Sequence, residues 1–345
     1  MQKRGVSQEQ FNWILITIAG AIILLFFVSL VYKQKGLSEE KSDIEIQKNL
    51  QSILTGAEIS KQTENIISVP EKEIKYSCEG FSIGALSGFN PRVVFSPDLL
   101  KSSERKLILY SLEWRVPFRI TNFLYVTSSE VRYVIVDDND NIKLNNPLEW
   151  SLGEELYNLL PEKTNKELVL KNNLNNIQDK NNYKIKIIFF NNFFNFNLNN
   201  IRNTKNEDIS VIDIYSWDST NKGSPKIDEY GKIDFYEYAT LKKTLEYLKK
   251  ESIIAAVFSE NADIYNCNME KAMTRLKKVY DVYDKRVEKL KNDEKDICKA
   301  HYDSNLLNMN NMDITFGNFQ SIYNNLDNIE HQNQIVALHS CALIY

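Results

Sequence analysis

Glycine is scarce in this sequence (11 residues), histidine scarcer (3), and cysteine limited to four in 345 residues. Each shortage removes a class of function. No G-x-G-x-x-G and no phosphate loop occurs, so the glycine-built dinucleotide and nucleotide cradles are excluded. His301, His331 and His339 fit no zinc spacing and read as polar surface, and no cysteine with a histidine marks a nucleophile site. A basic stripe is also missing: 42 basic and 46 acidic residues are spread along the chain for a net charge of −4. Phosphate backbones require concentrated positive charge, so nucleic acid is not an expected partner. The heavy use of Asn, Ile, Lys, Tyr and Phe is the bias of an A/T-rich genome, and it accounts for tracts such as "NNFFNFNLNN".

Against these absences stands one long hydrophobic run. Phe11 to Tyr32 is 22 residues without a charge, and at ~1.5 Å per helical residue it spans a ~30 Å hydrocarbon core. The run is longer than a signal peptide's apolar region and is followed by "SLVYKQKG", with neither a small-residue cleavage site nor a lipid-bearing cysteine. It is expected to be a retained anchor, contacting membrane lipid through 11–32. Lys3 and Arg4 before it and Lys33, Lys35 and Lys41 after it leave the positive-inside count undecided. The even cysteine count behind the span, suited to paired thiols in an oxidising space, predicts a cytoplasmic N-terminus and an extracytoplasmic body.

The segment "KRG", followed by "VSQEQ" and the apolar run, resembles the class III signal of archaeal type IV pilins and archaellins. "KRGVSQEQFNWILITIAG" is also similar to the start of archaeal single-span membrane proteins. The resemblance covers about the first thirty residues. It implies processing between Gly5 and Val6 on the cytoplasmic side with the span left attached. Counted from Val6, the acidic residue Glu9 falls at the fourth position where such signals place it at the fifth.

Behind the span, Ile46, Leu50, Ile53 and Leu54 recur at helical spacing after Ser38, predicting an amphipathic stalk helix that ends near Gly56. Four segments are expected: 1–36 with the span, 37–71 stalk and linker, 72–260 an α/β domain, and 261–345 a helical hairpin. In the α/β domain "RYVIVDD", "YKIKIIFFN", "ISVIDIYS", "KIDFYEY" and "SIIAAVFSE" read as strands, and "SLGEELYNLL" and "ATLKKTLEYLKKE" as helices. Strands alternating with helices predict a three-layer-like α/β domain with a mostly parallel sheet. Gly80, Gly84 and Gly88 are expected to serve turns and close backbone approach. Met269, Met273, Leu276, Tyr280, Tyr283, Val287 and Leu290 form three heptads, and Phe319, Ile322, Leu326, Ile329 and Val336 a second series. These predict an antiparallel, coiled-coil-like C-terminal hairpin, with a zipper between chains as the rival reading of the same spacing.

Such a hairpin places Cys267 and Cys341 at one end, so the expected disulfide is Cys267–Cys341, with Cys78–Cys298 as the second pair. Ligands of α/β sheets bind at the carboxyl ends of strands. Those ends offer Asp137, Asp138, Asn191, Asn192, Trp217, Asp218 and Glu260, of which the four acids Asp137, Asp138, Asp218 and Glu260 are the candidate site. Aspartate and asparagine also turn chains and cap helices at such positions. "DDNDNIKLNNPLE" imitates a calcium loop but carries Ile142 in place of its glycine and Leu148 in place of its last acid. No metal and no cofactor is expected. Three readings follow: a tethered surface protein that binds or assembles with a protein partner, a pilin-like filament subunit, and a tethered extracytoplasmic α/β enzyme.

Overall fold

The first helix, α1, runs Gly5–Ile59 in the computed structural model of the chain. The structure describes residues 5–60, 63–69, 71–84, 86–101, 106–137, 151–176, 184–191, 193, 208–216, 229–293, 296–302 and 319–345. The chain divides into two units, Met1–Leu50 and Gln51–Tyr345. In the first unit, Trp13–Lys35 is a 23-residue stretch of mean hydropathy 3.0 with none of its side chains buried. It is long and apolar enough to cross a membrane. Its hydroxyl at Thr17 donates back to the Trp13 carbonyl at 2.8 Å, so that polar group is satisfied within the helix.

In the second unit, the last turns of α1 rest on an antiparallel pair, β7 (Lys106–Arg115) and β8 (Arg119–Ser128). Leu54 and Ala57 are buried there. The carbonyls that a helix C-terminus leaves unpaired receive side-chain donors from the sheet: Ser111 Oγ reaches Ala57 O at 2.8 Å, and Asn122 Nδ2 donates to Ser60 O. Glu58 on the same turn accepts from Arg275 at 2.6 Å and from Arg92 at 3.2 Å. β1 (Thr63–Ser68) and β5 (Val94–Phe95) complete this sheet in the order β1-β7-β8-β5.

A second sheet, ordered β4-β3-β2-β6, comprises β2 (Ile74–Ser77), β3 (Gly80–Ile83), β4 (Leu86–Phe89) and β6 (Leu99–Leu100). Its glycines serve the expected purposes. A Cβ on Gly80 would lie 1.8 Å from the Gly88 carbonyl oxygen, and Gly84 holds φ 58° in the turn before β4.

The third sheet has six strands, ordered β10-β9-β11-β12-β13-β14. They are β9 (Val131–Asp137), β10 (Asn165–Leu170), β11 (Lys184–Phe190), β12 (Ile209–Ser216), β13 (Tyr230–Glu237) and β14 (Thr240–Leu248). Three of its five pairings are parallel, and those joining β12 to β13 and β13 to β14 are antiparallel. Among the described residues the fold is therefore mixed α/β with three sheets, two of them partly parallel, since β5 also runs parallel to β8 in the first. Strands β9, β11 and β12 are apolar on both faces: Ile135, Ile188 and Ile212 join the larger core, Val134, Ile187 and Val211 the smaller. Burial on two faces produces the continuous apolar runs read from the sequence. Helix α2 (Leu152–Leu159) crosses from β9 to β10, capped by Ser151 and Glu154 in a reciprocal capping box.

Two assignments are reversed by the structure. Most of "ATLKKTLEYLKKE" is the strand β14 (Thr240–Leu248), and "SIIAAVF" of "SIIAAVFSE" lies in a helix, α3 (Lys250–Phe258). The four-three spacing of Leu241, Leu245 and Leu248 imitates a helix face. Antiparallel pairing with β13 wins, burying Leu245 and Tyr247 on one side and leaving Leu241 49% exposed. Every residue of α3 from Ser252 to Phe258 is buried, and a helix enclosed on all sides carries no periodicity to distinguish it from a buried strand.

Helix α4 (Ala262–Asp293) follows, then the short α5 (Asp296–Lys299) and α6 (Phe319–Leu338). The heptad seam of α4 packs within its own chain. Tyr280 and Tyr283 lie 4.8 and 4.2 Å from the Phe118 ring, and Tyr280 donates to the Val116 carbonyl at 3.1 Å. α6 meets the outer hairpin of the six-stranded sheet, with Tyr323 against Tyr230 and the Phe319 amide on Glu246.

The cysteines pair differently from expectation. Cys78 bonds Cys267 and Cys298 bonds Cys341, with Cα separations of 6.0 and 5.7 Å. Cys267–Cys341 and Cys78–Cys298 are not formed. The reason lies in the packing of α4: its first turns lie beside the β2–β3 turn that carries Cys78, where Lys271 Nζ also bonds the Cys78 and Asn90 carbonyls. The turn after α6 meets α5 instead.

Candidate functional site

In the parallel part of the six-stranded sheet, β10 lies on one side of β9 and β11 on the other. The carboxyl ends of β9 and β11 therefore flank the point where the strand order reverses, the usual ligand crevice of an open α/β sheet. Asp137 ends β9 there, buried, with Oδ2 accepting from Ser151 Oγ at 2.8 Å. Asn191 follows β11 at φ 55°, its amide donating to Ile214 O at 3.2 Å. The start of α2 is thus occupied by the chain's own carboxylates, Asp137, Glu154 and Glu155. That composition suits helix capping and opposes an anionic ligand at this helix N-terminus.

Glu260 does not join Asp137. Its carboxylate pairs with Lys184 at 2.9 Å, and Lys184 is level with Val131, the first residue of β9. Six strand residues, about 20 Å, separate that level from Asp137. Asp137 and Glu260, the two expected acids among the described residues, are consequently not gathered at one end of the sheet. Asp138, Asn192, Trp217 and Asp218, with the calcium-like stretch 138–149, lie outside the described residues.

At the opposite end a buried lysine takes a structural position. Lys186 Nζ donates to Ser259 O at 2.7 Å and Glu260 O at 3.2 Å, closing the C-terminus of α3. Burial pushes its ammonium down to about 8, against the attraction of Glu260. Lys184 beside it bridges Glu260 and Asp98, the latter at 2.5 Å.

Two clusters were not foreseen from the sequence. Asp213 and Asp234 are cross-strand partners on β12 and β13, both buried. Asp234 accepts from the Tyr215 hydroxyl at 2.9 Å, the Tyr236 hydroxyl at 3.4 Å and Thr244. Asp213 accepts from the Phe193 amide at 3.4 Å. Burial and then the Asp234 hydrogen bond raise Tyr215 to about 12. The signal is a single acid inside each apolar stretch, "VIDIY" and "KIDFY".

The second cluster is aromatic. His301 and His339, distant in sequence, stack with ring centroids 4.0 Å apart and planes 14° from parallel. They flank the Cys298–Cys341 disulfide. With that bond closed, no group of three or more His, Cys, Asp or Glu among the described residues is placed to hold a metal ion. On the small sheet, a groove of about 310 Å³ is lined by polar Lys75, Ser77, Glu79, Ser82 and Ser87 together with Tyr76, Phe81 and Phe89; Phe89 is 71% exposed, whereas Tyr76 and Phe81 are buried.

No protein-family model, no curated protein and no solved structure matches the chain.

Proposed function

We propose that the chain is a single-span surface protein, its N-terminus cytoplasmic and its α/β body extracytoplasmic, serving binding or assembly with a protein partner. The observation that carries this reading is the combination of a wholly exposed apolar helix with a body whose four cysteines are all paired. Disulfides persist in oxidising compartments. The exposed Phe89 beside a groove gives the body an apolar contact point of the kind interfaces use. Cross-linking in native membranes tests the assembly element: defined adducts are expected, and isolated monomers alone would contradict it.

The finer architecture belongs to the same proposal. Helices α2, α3 and α4 contribute to the core on one face of the six-stranded sheet, and Leu174 and Phe193 to that on the other, as a three-layer arrangement requires. α4 and α6 are read as the two arms of an antiparallel hairpin, supported by the Arg286–Leu343 hydrogen bond at 3.1 Å.

A pilin-like subunit is the second reading. It is favoured by the unbroken course of α1 from Gly5 to Ile59, span and amphipathic segment in one helix, and by the class III-like "KRG" start. Mass spectrometry of the mature N-terminus distinguishes the two: Val6 exposed supports the filament subunit, and Met1 or Gln2 retained opposes it.

A further inference from the structure

We propose that Cys298, His301, His339 and Cys341 form a redox-gated zinc site, closed as a disulfide and opened to four metal ligands by a dithiol reductant. The four side chains arrive as two local pairs. His301 follows Cys298 by one tight turn, its amide bonded to the Cys298 carbonyl at 2.9 Å. In such a turn, positions i and i+3 lie on the same side. The other pair is made by the end of α6. Ser340 adopts φ 56° and the Cys341 amide returns to Val336 O at 2.9 Å, so Cys341 folds back beside His339. The disulfide joins the cysteines and the ring stack joins the histidines.

Two thiolates and two imidazoles are a standard tetrahedral zinc set, with Zn–S about 2.3 Å and Zn–N about 2.0–2.1 Å. Cysteine Cα atoms 5.7 Å apart leave both sulfurs within reach of one such ion. The two segments do not depend on the disulfide to stay together. Tyr302 donates to Ala342 O at 2.7 Å, and Gln332 donates to His301 O. Reduction breaks the S–S bond, which takes two electrons and two protons from the dithiol as that reagent closes its own disulfide. Zn²⁺ then displaces both thiol protons and binds the neutral imidazoles. The site is independent of the membrane reading, since it describes the reduced chain wherever that chain resides.

The test uses the full chain in detergent, reduced and then exposed to Zn²⁺ or Co²⁺ alone. One metal per chain is expected, with the absorption of a tetrahedral thiolate–cobalt complex. Zinc should slow alkylation of Cys298 and Cys341 at least tenfold while leaving Cys78 and Cys267 unprotected. His301→Ala/His339→Ala should lose the cobalt spectrum while its unreduced form keeps both disulfides, which shows that the variant folds. Equal protection of all four cysteines, undiminished binding in the double variant, or no binding by the reduced chain would each overturn the site.

Discussion

Asp213 and Asp234 stand directly opposite each other on β12 and β13, both buried in an otherwise apolar sheet. Like charges at such positions repel, and three hydroxyls around Asp234 offset the cost. Asp234→Ala strands those hydroxyls and is expected to destabilise by about 2–4 kcal/mol. Asp213→Asn removes the repulsion, retains an acceptor, and is expected to cost under about 1 kcal/mol. Urea titrations of both variants, with the double variant closing a cycle, measure the two terms.

Stability should peak on the alkaline side of neutrality. Lys186 titrates at about 8 in the fold and near 10.5 when unfolded. Between those values the unfolded chain binds more protons, so stability rises with pH. Burial raises the phenols of Tyr76, Tyr125, Tyr265 and Tyr280 above their ordinary 10.0. Above that value the unfolded chain loses protons the fold retains, and stability falls. Unfolding monitored from pH 7 to 12 should show the rise and the fall. Lys186→Met should remove the portion of the rise due to Lys186 and leave the tyrosine-driven loss in place.

Non-reducing peptide mapping should recover Cys78 joined to Cys267 and Cys298 joined to Cys341. The loops closed span 189 and 43 residues of separation, and chain entropy alone assigns them roughly 5 and 4 kcal/mol. Cys78→Ser is therefore expected to lower stability at least as much as Cys341→Ser in thermal unfolding. Recovery of a Cys267–Cys341 peptide would reverse the account of how α4 packs.

Leu276 lies in the middle of the α4 seam and is fully buried within the chain's own core. Leu276→Ala should cost about 2–5 kcal/mol while leaving the oligomeric state unchanged by light scattering. A zipper between chains would instead lose its assembly.

Much of the fold was legible because buried parallel strands and a heptad seam write themselves into the sequence as runs and periods. β11 and β12 fall within "YKIKIIFFN" and "ISVIDIYS", and β9 and β13 begin one and two residues before "RYVIVDD" and "KIDFYEY". The exchange of β14 and α3 arose where period failed: three leucines at helical spacing in a strand, and a helix enclosed on every side. Helix ends alone do not reveal the disulfide pairing, because the β2–β3 turn supplies the partner of Cys267. The histidine stack was invisible for a similar reason. C-x-x-H and H-x-C are each unremarkable, and only the meeting of the segment after α5 with the turn after α6 brings them together.

The central claim, a body held on the oxidising side of a membrane by one helix, is tested most directly by protease protection combined with thiol mapping. Intact, wall-stripped cells expressing the full chain are treated with an external protease, and the cysteines are blocked before lysis. The account predicts that the protease removes the body beyond Lys35 and that both disulfides are recovered from untreated cells. A body protected until lysis, with four alkylated thiols, would contradict it.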